Sequence, residues 1–145
     1  MQFGLQERGF SLIELMIIVA ITAIMSALAI PTYDAYTVRA RVAESMLFVG
    51  QAKIVVTENV LGGSTTLDAG WVSPPSTENM DSISVDSNDG AITIDLAPKA
   101  GDGTLVFYPT SGGIALTPGL SMGDEVRWSC TGGTLASKYR PHDCR

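Results

Sequence analysis

The sequence predicts an α+β fold: a long N-terminal helix packed on a roughly four-stranded antiparallel sheet. Three observations predict it. Residues 10–30 form a nearly unbroken apolar run in which 17 of 21 positions are hydrophobic. After this run, apolar residues recur at helical spacing as far as a Gly-Gly pair. Beyond that pair the pattern changes to short alternating runs separated by glycine-rich turns.

The apolar run dominates the composition. The chain has 145 residues, 46% hydrophobic and 17% charged, with a mean hydropathy of +0.24. Outside residues 10–30 the hydrophobic share falls to about 40%, below the roughly 45–50% of soluble domains, a share that also counts glycine. One segment therefore carries the surplus, which excludes a disordered chain, a polytopic membrane protein and a uniformly soluble enzyme domain. At about 1.5 Å per residue, 21 helical residues reach roughly 31 Å, the thickness of a hydrocarbon core. A secretory signal has an apolar core of only about 7–15 residues and a small-residue cleavage site. Here the core is longer and Pro31-Thr32-Tyr33 follows it, so the segment is expected to stay on the mature protein. Glu14 interrupts it. A carboxylate at the centre of a spanning helix costs about 2.5–3.5 kcal/mol, so a partner for it is expected.

Pro31 is expected to bend the helix without ending it. Val38, Val42, Met46, Val49, Val56 and Val60 then make an apolar stripe, while Arg39, Arg41, Glu44, Lys53 and Glu58 lie off it and read as a solvated face. The helix is thus membrane-spanning in its first half and amphipathic in its second. Gly62-Gly63 ends it by favouring positive φ. Residues 61–82 read as a loop, rich in Ser, Thr and Pro from position 64. Ile92, Ile94 and Leu96 share one strand face, and residues 105–108, 114–116 and 126–128 are further strand candidates. Asn88-Asp89-Gly90, Gly101-Asp102-Gly103 and Gly112-Gly113 supply the turns. Trp71 and Trp128 read as packing residues.

The sequence offers no chemistry of catalysis. It has neither a G-x-x-x-x-G-K-[ST] phosphate loop nor a G-x-S-x-G nucleophile motif, so no enzyme activity and no cofactor is expected. Asp86-Ser87-Asn88-Asp89-Gly90 superficially resembles a calcium loop, but Gly90 stands fifth and no Glu closes it, so it reads as a turn. Cys130 and Cys144, with His142 the sole histidine, are too few for a zinc site. In the cytosol they would be two thiols. Outside it a disulfide is the favoured reading, worth roughly 3 kcal/mol for a loop of about 15 residues, and the apolar N-terminal segment favours the outside.

The residues Gly9-Phe10-Ser11-Leu12-Ile13-Glu14-Leu15-Met16-Ile17, continuing to Ile30-Pro31-Thr32-Tyr33, strongly resemble the N-terminus of type IV pilins. The resemblance covers residues 8 to about 36. It implies that residues 1–9 are a leader removed by a prepilin peptidase between Gly9 and Phe10, and that the new Phe10 amine is N-methylated. It implies that Glu14 pairs with the amine of a neighbouring subunit during assembly. Residues 10–31 would then anchor the chain in the inner membrane and later line the filament core, with 32–145 as the globular head of a pilin fold. The tail from Trp128-Ser129-Cys130 to Cys144-Arg145 also resembles the C-terminal disulfide loop of type IVa major pilins, residues 130–144.

Together these imply a structural subunit of a Gram-negative bacterium. It would polymerise with its own copies into an extracellular pilus serving adhesion, twitching motility or DNA uptake, driven by ATPases acting in trans. The alternatives are a minor pilin that captures DNA or a surface at the tip, and a type II secretion pseudopilin, which usually lacks the disulfide loop. The net charge of −6 and pI near 4.5 argue against generic nucleic-acid binding. Charge is uneven, however: residues 61–126 carry nine carboxylates against Lys99. The basic stretch Arg127, Lys138, Arg140 and Arg145 is the feature that would suit a tip module. The acidic face of the next subunit is the favoured partner for it.

Overall fold

The computed structural model describes residues 9–120 and 123–145, with the side chains at 30–32 left aside. Helix α1 runs Leu12–Leu61 and strands follow as β1 (Met80–Val85), β2 (Ile92–Leu96), β3 (Gly103–Ser111), β4 (Ile114–Ala115) and β5 (Val126–Gly132). The chain divides into two compact units between Asp34 and Ala35. The helical assignment continues through Pro31, which does not end the helix.

In the second unit, α1 buries Val42, Ser45, Val49, Ala52, Val56 and Val60, at steps of three and four residues, as one helical face requires. The apolar stripe named four of these. Ser45 escaped it because a polar residue does not announce burial; its hydroxyl is satisfied by the Arg41 carbonyl at 3.2 Å and that of Asn79 at 3.4 Å. Val38 and Met46 lie half-buried at the edges of the face.

The sheet is antiparallel throughout and centred on β3. Strand β2 pairs with its first half, β4 with Thr110 and Ser111, and β5 with residues 106–111. Strand β1 closes the far side against β2. The registers set Ile83 beside Ile94 beside Leu105, and Val85 beside Ile92 beside Phe107. These cross-strand rows face Val42, Val49 and Ala52 and form the main core. Fully burying each such side chain is worth about 1.5–3 kcal/mol.

The loop expected over 61–82 is shorter, because Met80, Asp81 and Ser82 belong to β1. The ladder shifts register between Met80 and Ser82, so Met80 and Ile83 are both buried although three residues apart. A bulge of this kind destroys the alternation by which a strand is recognised. The sheet therefore has five strands, one more than the roughly four expected.

The Gly62-Gly63 stop holds in detail. Gly63 adopts φ 64°, its N–H donates to the Val60 carbonyl at 3.2 Å, and the Ser64 N–H reaches the Asn59 carbonyl at 2.9 Å. This is a Schellman ending, which needs a left-handed residue at that position. Asn59 then ties down the loop that follows, donating to the carbonyls of Leu67 at 3.0 Å and Ala69 at 2.9 Å while accepting from Ser64 Oγ at 3.2 Å. Leu67, delivered by that loop, packs with Val56, Val60 and Leu116 in a second small cluster. Trp71 and Trp128 are partly buried against the core, and the Trp71 indole N–H is enclosed without an acceptor among the described residues.

Candidate functional site

The first half of α1 is a bare apolar surface. Every described side chain from 10 to 29 is exposed within its unit. The helix is long and apolar enough to cross a membrane, with a mean hydropathy of 2.5 over its most apolar stretch. Its polar residues are accounted for locally. Thr22 Oγ1 donates to the carbonyls of Ile18 at 2.9 Å and Val19 at 3.0 Å, and Ser26 Oγ to that of Thr22 at 2.8 Å, so neither hydroxyl is left unsatisfied.

Glu14 is tied to the start of the helix. Ser11 precedes the first helical residue and acts as its N-cap. The Ser11 N–H donates to Glu14 Oε2 at 2.8 Å, and the Glu14 N–H donates to Ser11 Oγ at 3.3 Å. This reciprocal pair is a capping box, formed by Ser at the cap and Glu three residues on. From the apolar run a partner for Glu14 is expected, and the resemblance to type IV pilins places it in a neighbouring subunit. The S-x-x-E spacing, which signals a helix start, could have found this intramolecular one. Gly9 and Phe10 lie just before the helix, outside any regular element and exposed. Residues 1–8 of the expected leader lie outside the described residues.

At the other end of the chain Cys130 and Cys144 form a disulfide with Cα atoms 4.8 Å apart. The enclosed loop carries single 3₁₀ turns at Ser137–Tyr139 and His142–Cys144. The loop leaves β5 at Gly133, whose φ is 99° and where a Cβ would run into the Thr104 carbonyl. Glycine alone fits so close a crossing of β3. Leu135 follows into the core, its N–H donating to the Thr104 carbonyl at 3.0 Å.

The four basic residues of this region do not act as one patch. Arg140 is turned inward, half-buried, and donates to three carbonyls of its own loop: Leu135 at 2.8 Å, Thr131 at 3.2 Å and Gly133 at 2.7 Å. It is an internal clamp. Arg145 follows it, donating through Nε to the Arg140 carbonyl at 3.2 Å. Lys138 lies with its ammonium 4.7 Å from the Tyr139 ring centroid, and its carbonyl accepts from Arg39 Nε at 2.6 Å. Arg127 is elsewhere. It pairs with Thr110, four residues along β3 from the Val106 that faces Gly132, about 13 Å away, and stands 4.0 Å from Glu125.

Two further readings from the sequence are refined. Lys53 is not part of a solvated face. It is half-buried, with Nζ 4.7 Å from the Phe107 centroid and 5.2 Å from that of Trp128, and desolvation holds its pKa below the usual lysine value. Arg41 and Glu44 are also engaged, with the Lys99 carbonyl at 2.9 Å and the Asn79 amide at 2.8 Å. Residues 86–90 form a turn. Asp86 Oδ1 accepts from the Asn88 N–H at 2.8 Å and the Asp89 N–H at 3.4 Å. These bonds, that from Asn88 foremost, keep its carboxyl below the usual carboxylate value. Among the described residues no group of histidine, cysteine and carboxylate side chains could hold a metal ion.

A helix apolar all round is one that other molecules bury, whether lipid or further chains. Joined to a sheet-covered head, it defines a class of protein whose N-terminal helical segment is left for another molecule to cover. Residues 38–145 match the family model described as Pilin (bacterial filament), and residues 5–30 match the prokaryotic N-terminal methylation motif. The chain belongs to the pilin family. It is 31% identical over 151 residues to the type IV major fimbrial protein FimA of Dichelobacter nodosus, covering 96% of each chain. It is 30% identical over 161 residues to the type IV major pilin protein PilE of Neisseria gonorrhoeae, covering 96% of this chain and 94% of that one. With PilE1 of the same organism the identity is 45% over 74 residues, and the match spans 48% of this chain and 45% of the relative.

Proposed function

We propose that this chain is a structural subunit that polymerises with its own copies into a type IV pilus. The observation that carries the proposal is the fully exposed apolar half of α1, on a chain of the pilin family, with one carboxylate near its start. In this reading a prepilin peptidase cuts between Gly9 and Phe10, the Phe10 amine is methylated, and residues 10–31 sit in the inner membrane until assembly, with Pro31 as the bend. The head, residues 32–145, lies outside the cytoplasm, consistent with the disulfide. The motor ATPases act from elsewhere. Cleavage places an ammonium four residues from Glu14 on an apolar helix. Each charge is costly in lipid by itself, and a staggered neighbour can offer the opposite one. Arg140 is engaged in its own loop, so a tip module reading DNA through the basic stretch is the weaker alternative.

The test is direct. Filaments sheared from cells expressing the chain should consist mainly of it, and mass spectrometry should return a peptide beginning with N-methylated Phe10. Glu14→Ala and Glu14→Gln should leave the subunit in the membrane at normal abundance while filament yield falls at least tenfold. Normal filaments from Glu14→Ala, or a mature chain that retains residues 1–9, would refute the reading.

A further inference from the structure

A groove of about 330 Å³ runs between the second half of α1 and the C-terminal loop, lined by Met46, Gly50, Lys53, Phe107, Trp128 and Pro141 among others. Its cation is incomplete. The Lys53 ammonium lies over two aromatic faces, yet among the described residues it takes part in no ion pair and donates no hydrogen bond. Cation–π contacts at partly exposed sites are weak, and an ammonium carries three donors. The Asp143 carboxylate at the rim is exposed and faces His142 Nδ1 at 3.5 Å.

Gly50 is a second, independent observation. It sits in the interior of α1, where glycine is destabilising relative to alanine. Nothing in its own chain asks for it, because a Cβ there would meet no atom within 4 Å. Bare helix at the mouth of the groove serves no purpose in the lone head. It leaves the groove clear for a group from outside.

The chemistry of that group follows from the walls: an anion to accept from Lys53, on a short stem that fits between aromatic and aliphatic surfaces. The same chain displays such groups in excess. Residues 61–126 hold nine carboxylates against Lys99, and Lys99 is already paired with Glu78 at 3.1 Å. Asp81, Asp95 and Asp102 line one open cleft and form no ion pair among the described residues. We infer that the Lys53 groove receives an aspartate or glutamate carboxylate from the acidic 61–126 region of a second copy. The inference rests on the filament reading above and names a head-to-head contact within it.

The experiment uses the full chain, once as detergent-solubilised subunits and once as filaments assembled from an equal mixture of ¹⁵N-labelled and unlabelled copies. A carbodiimide joins an amine to a carboxylate in contact with it, with loss of water. In filaments it should link Lys53 to an Asp or Glu between 61 and 126, with half of the links joining a labelled to an unlabelled chain. Acetylation of Lys53 by a water-soluble ester should slow at least tenfold on assembly. Lys53→Met, which keeps the stem and removes a poorly solvated charge, should melt no lower than wild type as a subunit while filament yield falls about tenfold. Gly50→Leu, which fills the groove, should do the same, and Gly50→Ala should assemble nearly normally. Filaments in which Lys53 acetylates as fast as in subunits would overturn the inference and leave the filament reading standing. So would a link confined to Asp143 of the same chain. A wild-type chain that forms no filaments would overturn both.

Discussion

Replacing Arg140 with alanine should loosen the C-terminal loop even though the disulfide stays intact. The guanidinium donates to three carbonyls at 2.7–3.2 Å. Hydrogen bonds from a charged donor are each worth about 1.5–3 kcal/mol when buried. Thr131 and Gly133 are exposed, so their carbonyls turn to water at little cost, whereas Leu135 is buried and its carbonyl loses most. The net is about 2 kcal/mol, a fall in Tm of roughly 7 °C for a chain of this length. The disulfide acts differently, by limiting the unfolded chain, at roughly 3 kcal/mol. The two effects should therefore add in a cycle of Arg140→Ala with and without reductant. The assay is thermal unfolding of the solubilised chain followed by near-ultraviolet circular dichroism. Arg140→Lys keeps the charge but cannot span three carbonyls, and should recover less than half of the loss. Stability of Arg140→Ala within about 0.5 kcal/mol of wild type, or full rescue by lysine, would refute the clamp and return Arg140 to the surface.

Other outcomes follow from the same structure. Asn59→Asp should destabilise by about 2 kcal/mol, as much as Asn59→Ala, because the carboxylate cannot donate to the Leu67 and Ala69 carbonyls; urea unfolding measures it, and a neutral Asn59→Asp would show the loop held by other means. The folded-state pKa of Asp86 lies below its ordinary value of 3.8, so the ionised form contributes stability above that value, and the contribution is lost as pH falls through the folded pKa. Asp86→Asn keeps an acceptor for Asn88 and should flatten the acid limb below about pH 4 while changing stability little at pH 7; an unchanged acid limb in stability measured against pH would count against the turn bonds.

What could be read in advance depended on whether a residue's chemistry matched its place. The apolar run, the valines at 42, 49, 56 and 60 and the Gly-Gly stop all conform, because burial and backbone freedom were what those residue types supply. Strand β1 did not show itself, since a bulge after Met80 moved Ile83 off the alternation and left a polar-looking stretch. Lys53 misled for a related reason. A lysine stem can lie along aromatic surface while its charge suggests solvent, and only the register that brings Phe107 and Trp128 to the helix reveals it. Arg140 was grouped with other cations by sequence distance, whereas its role is set by the three carbonyls that its loop turns inward. Long-range geometry, absent from any local pattern, decides each of these cases.

The hydroxyls of Thr22 and Ser26, each bonded back to its own helix, have a mechanical meaning. Glu14 is the only other polar side chain between residues 12 and 29. From there to residue 29 the helix is a greased rod. Sliding one such rod along another exchanges one set of dispersion contacts for a similar set and breaks no hydrogen bond, so resistance to axial travel is low at every offset. A single polar notch near the tip can then decide where travel stops.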